Sequence, residues 1–105
     1  MPAPPELAPL IARVEQRLHS IELWLFGSRA RGDHRQDSDW DLLAVLPDDA
    51  PEEWTDPLIA WELSRQSAVP AALLSTKRSD LHAICGLPNT IGYDLAREGV
   101  RLFVD

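Results

Sequence analysis

Two short apolar runs, Glu22–Gly27 and Asp39–Pro47, are separated by the polar segment SRARGDHRQDS. Each run is too short for a typical helix, and each ends at a residue that interrupts regular structure, Gly27 or Pro47. Runs of this kind predict buried strands. The polar segment between them predicts a loop that opens with a helical turn at Ser28. The fold must therefore accommodate two neighbouring strands with a polar loop between them.

The remaining segments alternate helix and strand signals. From Glu6 to His19, apolar residues recur at three- and four-residue steps, which predicts an amphipathic helix. After Pro47, acids precede a basic residue in the order that the helix dipole favours, and this predicts a second helix from near Thr55. The other predicted elements are a strand at Pro70–Thr76, a helical turn capped by Ser79, a helix over 89–98 that ends at Gly99, and a strand over 100–105. This order indicates an α/β or α+β domain with one small mixed β-sheet and flanking helices.

Length and composition predict a single globular domain. The chain has 105 residues, of which 45% are hydrophobic and 26% charged, values typical of a folded domain with one core. The proline-rich residues 1–5 are expected to fray. No apolar run approaches the ~20 residues that span a membrane, and the N-terminus has no secretory pattern. Cys85 is the only cysteine, so an internal disulfide is excluded and a cytoplasmic location is expected.

The charge distribution limits the possible partners. A net charge of -7 argues against a non-specific nucleic-acid binder, because such proteins depend on Lys and Arg that neutralise phosphates. Arg29, Arg31 and Arg35 nevertheless lie close together in the polar loop. The sequence therefore predicts a local basic patch that holds a small anion.

Asp39 and Asp41 form the most informative pair. Residues two apart in a strand point to the same face, so the two carboxylates project together while Trp40 points to the opposite face and enters the core. Neighbouring carboxylates repel each other unless a cation lies between them. Oxygen ligands of this kind suit Mg²⁺, which takes further ligands from water and substrate phosphates.

The turn before the polar loop supplies groups that suit a phosphate. Gly27 allows a close backbone approach, and Ser28 offers a hydroxyl and the start of a helix. Arg29 and Arg31 add positive charge. Taken alone, GSRARG is an ordinary turn and Asp-x-Asp is a common pair of exposed acids. Together they indicate phosphoryl or nucleotidyl transfer, in which positioning and charge neutralisation dominate catalysis.

GSRARG followed by SDWDLLAV resembles the nucleotidyltransferase superfamily that includes DNA polymerase β, and most of all its minimal, single-domain MNT branch. The segment LPNTIGYDLAREGVRLF resembles that branch too, so the resemblance runs from about Leu23 to the C-terminus. It implies an α+β fold like the palm of polymerase β. It also implies that Gly27 and Ser28 hold the triphosphate of ATP or another NTP, that Arg29 and Arg31 lie near the phosphates, and that Asp39 and Asp41 bind Mg²⁺ and are catalytic.

The family resemblance also implies a reaction and a partner. Members transfer a nucleoside monophosphate, often AMP from ATP, to a hydroxyl group. Many MNT proteins accompany an all-helical HEPN partner, and in such pairs the MNT protein is an antitoxin that can adenylylate a tyrosine of the toxin. A domain without the second lobe of larger relatives has few ways to grip an acceptor. A protein partner or a homo-oligomer is therefore expected.

One position departs from the family pattern. The family carries a third carboxylate on the strand after the long helix, and here Ala72 occupies that position. That acid completes the metal site and acts as a general base, so catalysis by this chain is open and a two-ion site is expected to be incomplete. The chain is then a naturally degenerate member of the family, an engineered inactive variant, or a protein in which Asp80 or Asp94 replaces the third carboxylate. A tyrosine acceptor, with a pKa of about 10, is easier to deprotonate than a sugar hydroxyl.

Other residues favour structural roles. His34 is expected to be an exposed loop histidine, and His19 and His82 show no zinc-ligand spacing. Trp24 and Trp40 are predicted to be core. The stripe of Trp54, Leu58, Trp61 and Leu63 is predicted to be the buried face of the second helix, although an exposed Trp54 and Trp61 would form a partner surface.

Two functions of different classes remain open from the sequence. The first is a Mg²⁺-dependent nucleotidyltransferase that modifies a hydroxyl of a partner protein. The second is a catalytically degenerate antitoxin, a nucleotide-binding or partner-binding module that acts by steric contact. Ala72 favours the second, whereas Gly27, Ser28, Asp39 and Asp41 favour retained nucleotide binding.

Overall fold

The computed structural model describes residues 4–67, 69–84, 86–87 and 91–102, with the side chains of 91–94 excepted. Within these ranges the chain forms five α-helices and four strands. In chain order they are α1 (Ala8–Leu18), β1 (Glu22–Phe26), α2 (Ser28–Arg31), β2 (Trp40–Leu46), α3 (Pro57–Arg65), β3 (Ala71–Lys77), α4 (Arg78–Ile84), α5 (Ile91–Glu98) and β4 (Val100–Leu102). Short 3-10 helices occupy Pro5–Leu7 and Glu52–Thr55.

The four strands form one mixed sheet, as the sequence predicts, and the structure shows their order to be β3-β2-β1-β4. The central strand β1 is antiparallel to β2 and β4, whereas β3 runs parallel to β2. The register places Asp41 of β2 between Phe26 of β1 and Ala72 of β3. Asp41 therefore lies on an interior strand of the sheet, with a paired strand on each side.

The larger core lies on one face of the sheet. Helix α1 presents a stripe at helical spacing that includes Leu10, Ile11 and Val14, each nearly inaccessible. It packs with α3 against alternate residues of the strands, such as Leu42 and Ala44 of β2. Burial of these side chains supplies most of the apolar driving force for folding.

A smaller core covers part of the opposite face. Leu43 and Val45 of β2 are buried there with Leu81 of α4 and Leu95 of α5. Trp24 is half-buried against this cluster rather than fully enclosed, and its indole nitrogen donates to the Glu22 carboxylate at 3.1 Å. This cluster covers the C-terminal part of β2, beyond the position of Asp41.

The second helix starts two residues later than predicted, and its predicted buried face is only partly correct. Helix α3 begins at Pro57, because Asp56 accepts a hydrogen bond from the Leu58 N–H and proline suits the first helical position. Trp54 belongs to the preceding 3-10 helix, where it is half-buried, and Trp61 is 52% exposed. Leu63 is buried as predicted, Leu58 is exposed, and Ala60 is buried although the predicted stripe did not include it.

Helix α4 also differs from its prediction. It begins at Arg78, one residue before the predicted cap. The N–H of Ser79 donates to the carboxylate of Asp48, which lies 31 residues earlier in the chain, at 2.9 Å. The acceptor at the start of α4 therefore comes from the loop after β2.

The chain ends are only partly described. Of the predicted frayed segment, residues 1–3 lie outside the described residues, and Pro5 begins a 3-10 helix. The beginning of the predicted helix at 89–90 and the end of the last predicted strand at 103–105 also lie outside them, as does Cys85. None of the helices in the described ranges is both long and apolar enough to cross a membrane.

Candidate active site

Gly27 forms a turn that only glycine fits. It has φ 74° and ψ -157°, a backbone conformation that side-chain-bearing residues rarely adopt. A Cβ at this position would also overlap the carboxylate of Asp41. The turn therefore lies directly against Asp41, and any larger residue would push the two apart.

Ser28 begins helix α2 immediately after this turn. The Gly27 carbonyl accepts hydrogen bonds from the N–H groups of Ala30 and Arg31, both at 3.1 Å. The first N–H groups of a helix have no acceptor within the helix and point out of its N-terminus. The Ser28 end of α2 is thus set beside Asp41 by the turn at Gly27.

Asp39 and Asp41 lie on either side of Trp40, at the start of β2. Trp40 is 9% exposed and packs in the larger core, so the predicted alternation is confirmed for this residue. Asp39 is exposed and Asp41 is half-buried. Burial raises the pKa of Asp41, the charge of Asp39 raises that pKa further, and the charge of Arg31 opposes the shift. The structure therefore holds two carboxylates close enough to repel each other.

Arg29 has most of its guanidinium committed to the loop before Asp39. Its Nε donates to the Ser38 carbonyl and its Nη2 to the Gln36 carbonyl, both at 3.1 Å. The guanidinium also lies 4.3 Å from the centre of the Trp40 ring. These contacts fix the returning chain directly before Asp39, so Arg29 is a positioning residue for the carboxylate pair.

Arg31 points to a different set of partners. It forms ion pairs with Asp33 at 3.2 Å and with Glu98 of α5 at 3.1 Å. Hydrogen bonding to Asp33 raises the pKa of Arg31, which stays fully charged. Its side chain is 44% exposed, and its positive charge acts to lower the pKa of Asp41. Nothing in the sequence distinguished the roles of Arg29 and Arg31, because both stand in the same tetrapeptide.

Ala72 lies beside Asp41 in the parallel ladder of β2 and β3, and it is exposed. No acidic residue occurs within β3, whose sequence is AALLSTK. Asp80 lies on α4, which follows the opposite end of β3, and Asp94 lies in α5. The side chain of Asp94 lies outside the described residues.

The candidate site thus has two carboxylates and no third nearby ligand among the described side chains. Within the described ranges, no group of three or more His, Cys, Asp and Glu residues could hold a metal ion. His34 is exposed in the loop between α2 and β2. The arrangement offers a cation two carboxylates, and it offers an anion the N-terminus of α2 and the charge of Arg31.

Sequence comparison decides the family. The family model of the nucleotidyltransferase domain matches residues 8–91, which include the Gly27 turn, both carboxylates and Ala72. The chain belongs to the nucleotidyltransferase domain family. No curated protein sequence matches the chain.

Two solved structures share the nucleotidyltransferase fold. One is a protein from Sulfolobus solfataricus described as a nucleotidyltransferase, with 18% identity and a TM-score of 0.58 over 91% of this chain and 75% of that one. The other is a toxin-antitoxin structure with AMP-PNP, with 19% identity and a TM-score of 0.60 over 97% of this chain and 75% of that one. The palm-like α+β fold that the sequence predicts is therefore confirmed.

Proposed function

We propose that this nucleotidyltransferase domain binds a Mg²⁺-nucleoside triphosphate between the Gly27 turn and the carboxylates of Asp39 and Asp41. The observation that carries the proposal is the contact between the turn and Asp41, in which a Cβ on residue 27 would overlap the carboxylate. A structural turn has no need of such closeness. A site that must hold a cation and a phosphate together needs both groups within reach of one another.

The donor set of the site fits Mg²⁺. Two carboxylates supply the oxygen ligands that this ion prefers, and water and phosphate oxygens supply the rest. Burial and the charge of Asp39 both disfavour ionised Asp41, and a bound cation would relieve both. When bound, the ion neutralises phosphate charge and lowers the pKa of a nearby hydroxyl. Asp39 and Asp41 would hold it.

The remaining residues would bind and orient the triphosphate. The Ser28 hydroxyl and the first N–H groups of α2 follow the turn that lies against Asp41, and they would suit phosphate oxygens. Arg31 can add charge there if it exchanges its contacts with Asp33 and Glu98 for the phosphates. Arg29 instead keeps the loop before Asp39 in place.

The reaction that this site suits is transfer of AMP from ATP to a hydroxyl of a partner protein. The oxygen of the acceptor would form a bond to the α-phosphorus, pyrophosphate would leave, and the hydroxyl proton would pass to solvent. A tyrosine suits such an acceptor, because its pKa of about 10 lessens the need for the general base that Ala72 cannot supply. The likeness to a toxin-antitoxin structure with AMP-PNP supports ATP and a toxin partner. The HEPN type of that partner rests on the family resemblance alone.

Ala72 supports a second candidate, a degenerate antitoxin that binds the nucleotide or its toxin without turnover. The side chain beside Asp41 on β3 is a methyl group, which neither binds a cation nor accepts a proton. In that case the domain neutralises its partner by steric contact.

Mass spectrometry of the partner separates the two candidates. A HEPN-type partner is incubated with the domain, ATP and Mg²⁺, and its tyrosine-containing peptides are examined for an AMP adduct. Transfer predicts an adduct that disappears with the Asp39→Ala/Asp41→Ala double variant and increases with Ala72→Asp. Inhibition of the partner without an adduct, unchanged in the double variant, would establish steric neutralisation.

A further inference from the structure

The outer edge of β3 leaves a row of backbone groups without strand partners. Among the described strands, β3 is the first in the sheet order, so β2 is its one pairing partner there. The Trp40 N–H donates to the Pro70 carbonyl at 3.0 Å, and in a parallel ladder alternate residues bond to the neighbour. The N–H and C=O groups of Ala71, Leu73 and Ser75 therefore point away from the sheet.

From Ala71 to Leu74 the described β3 edge lacks the features that normally protect an exposed strand, whereas Ser75 and Lys77 contact the 3-10 helix Glu52–Thr55. Natural edges carry charged residues, are very short, or are covered. The opposite edge of this sheet follows that rule in its described part, since β4 carries the exposed Arg101 at the centre of Val100–Leu102. β3 has seven residues, and its first charged side chain is Lys77 at the very end. Ala72 and Leu74 are exposed on it, Leu74 by 44%.

A groove of about 760 Å³ runs along this edge from Asp39 to helix α3. Leu74 and Trp61, both large and about half exposed, line it together with Pro57. Asp39 and Arg65 are the charged residues that line the groove, and the Arg65 guanidinium lies 4.6 Å from the centre of the Trp61 ring. On a chain of net charge -7, this surface is locally neutral. Two copies of the chain can therefore associate through this surface with less electrostatic repulsion than through the acidic remainder of the surface.

We propose that a second copy of this chain docks on the β3 edge, with the two β3 strands antiparallel across a two-fold axis. Eight strands, four from each copy, would then form one continuous sheet. Full overlap of the two strands places Ala71 opposite Lys77 and Leu74 opposite its own counterpart. The interface is self-complementary, as a two-fold contact requires.

Arg78 can complement this antiparallel arrangement. Asp39 is exposed beside the N-terminal end of β3, and Arg78 follows the C-terminal end of β3 with a side chain that is 56% exposed. Lys77 does not contribute in this way, because its ammonium pairs with Glu52. In an antiparallel pair, Arg78 of one copy comes beside Asp39 of the other and can exchange its 3.8 Å contact with Glu22 for that carboxylate.

A cysteine at the two-fold axis tests the arrangement directly. Leu74 faces β2 with its backbone groups, so in the dimer it forms a non-hydrogen-bonded pair whose Cα atoms lie about 4.5 Å apart. This distance is within the range of about 4.4–6.8 Å that a disulfide spans. In a Cys85→Ser background, Leu74→Cys should therefore form a covalent dimer under mild oxidation. Ile21→Cys, at an exposed leucine-sized position outside the groove, is the matched control and should stay monomeric.

Sedimentation equilibrium of the unmodified chain gives the independent readout, without nucleotide. The dimer should be populated at protein concentrations up to about 100 μM, and Leu74→Lys should raise its dissociation constant by about tenfold or more. Circular dichroism checks that the lysine variant is folded. The proposal would be overturned by a chain that is monomeric at every concentration or by a dissociation constant that Leu74→Lys leaves unchanged. Equal cross-linking of the two cysteine variants would also overturn it.

Discussion

The sheet face that carries Asp41 has two ends, and they are built differently. Toward the C-terminal end of β2, Leu43 and Val45 are buried beneath α4 and α5. At the N-terminal end, Asp41 is half-buried and Ala72 beside it is exposed. Asp41 and Leu43 are only two residues apart on the same face. One strand therefore supplies packing at one end and candidate chemistry at the other, and substitutions at the two ends should affect different measurements.

The largest loss of stability is expected at the packed end. Leu43→Ala should lower the free energy of unfolding by about 2–5 kcal/mol, because it removes a buried side chain and leaves a cavity. Leu74→Ala is the matched control, since Leu74 pairs with Leu43 in the sheet register but is exposed. Urea denaturation at low protein concentration measures both. Equal losses in the two variants would contradict the division between the ends.

Arg29→Ala should have the next largest effect, at the site end. It removes two hydrogen bonds from a charged group to loop carbonyls and a ring contact, a loss of about 1–3 kcal/mol in the free energy of unfolding. Because the loop before Asp39 is released, affinity for Mg²⁺ should fall as well. The control is Arg31→Ala, whose ion pairs are solvent-exposed and whose loss should affect stability less. Greater destabilisation by Arg31→Ala would show that the roles of the two arginines are reversed.

Asp41→Asn should slightly stabilise the protein in the absence of divalent metal, by up to about 1 kcal/mol after allowance for solvent screening. Burial and Asp39 raise the pKa of Asp41 in the folded state, so its ionisation at neutral pH destabilises the fold. This cost exists above the folded pKa and disappears below the unfolded one. The advantage of the asparagine variant should therefore vanish in acid. Urea denaturation across a pH series measures it, and an advantage that persists in acid would exclude the charge as its cause.

Asp48→Ala is expected to give the smallest change, at the packed end. The hydrogen bond from the Ser79 N–H lowers the pKa of Asp48, so its stabilising contribution is present above the unfolded pKa and is lost as pH falls through the folded pKa. The variant should be less stable than the parent at neutral pH and equal to it in strong acid. Thermal unfolding at the two pH values checks this, with the exposed Asp49→Ala as control. A difference that is independent of pH would mean that another contact of Asp48 matters.

The sequence predicted those features that depend on local periodicity. The two-residue period of β2 predicted that Trp40 is core and that Asp39 and Asp41 share a face, and the short apolar runs predicted the strands. What it missed depends on distant chain segments. The Ser79 N–H at the start of α4 donates to Asp48, and Arg31 donates to Glu98 on α5. These partners are far apart in the sequence, so neither contact leaves a local signal.

The errors on α3 have a local cause. The Asp56 cap and Pro57 together set the start of the helix, and this places Trp54 outside the helix and shifts which side chains face the core. The start of the helix at Pro57 could have been predicted from the dipeptide Asp56-Pro57, because a capping residue followed by proline is typical of a helix N-terminus. The different contacts of Arg29 and Arg31 could not have been predicted from the sequence, because they depend on how the loop returns to β2.

Calorimetric titration with Mg-ATP tests whether Asp39 and Asp41 form a Mg²⁺-nucleotide site beside the Gly27 turn. We expect saturable binding to the unmodified chain, loss of that binding in Asp39→Ala/Asp41→Ala, and tighter binding in Ala72→Asp. Absence of binding in both the unmodified chain and Ala72→Asp, with each shown to be folded, would contradict the proposed site.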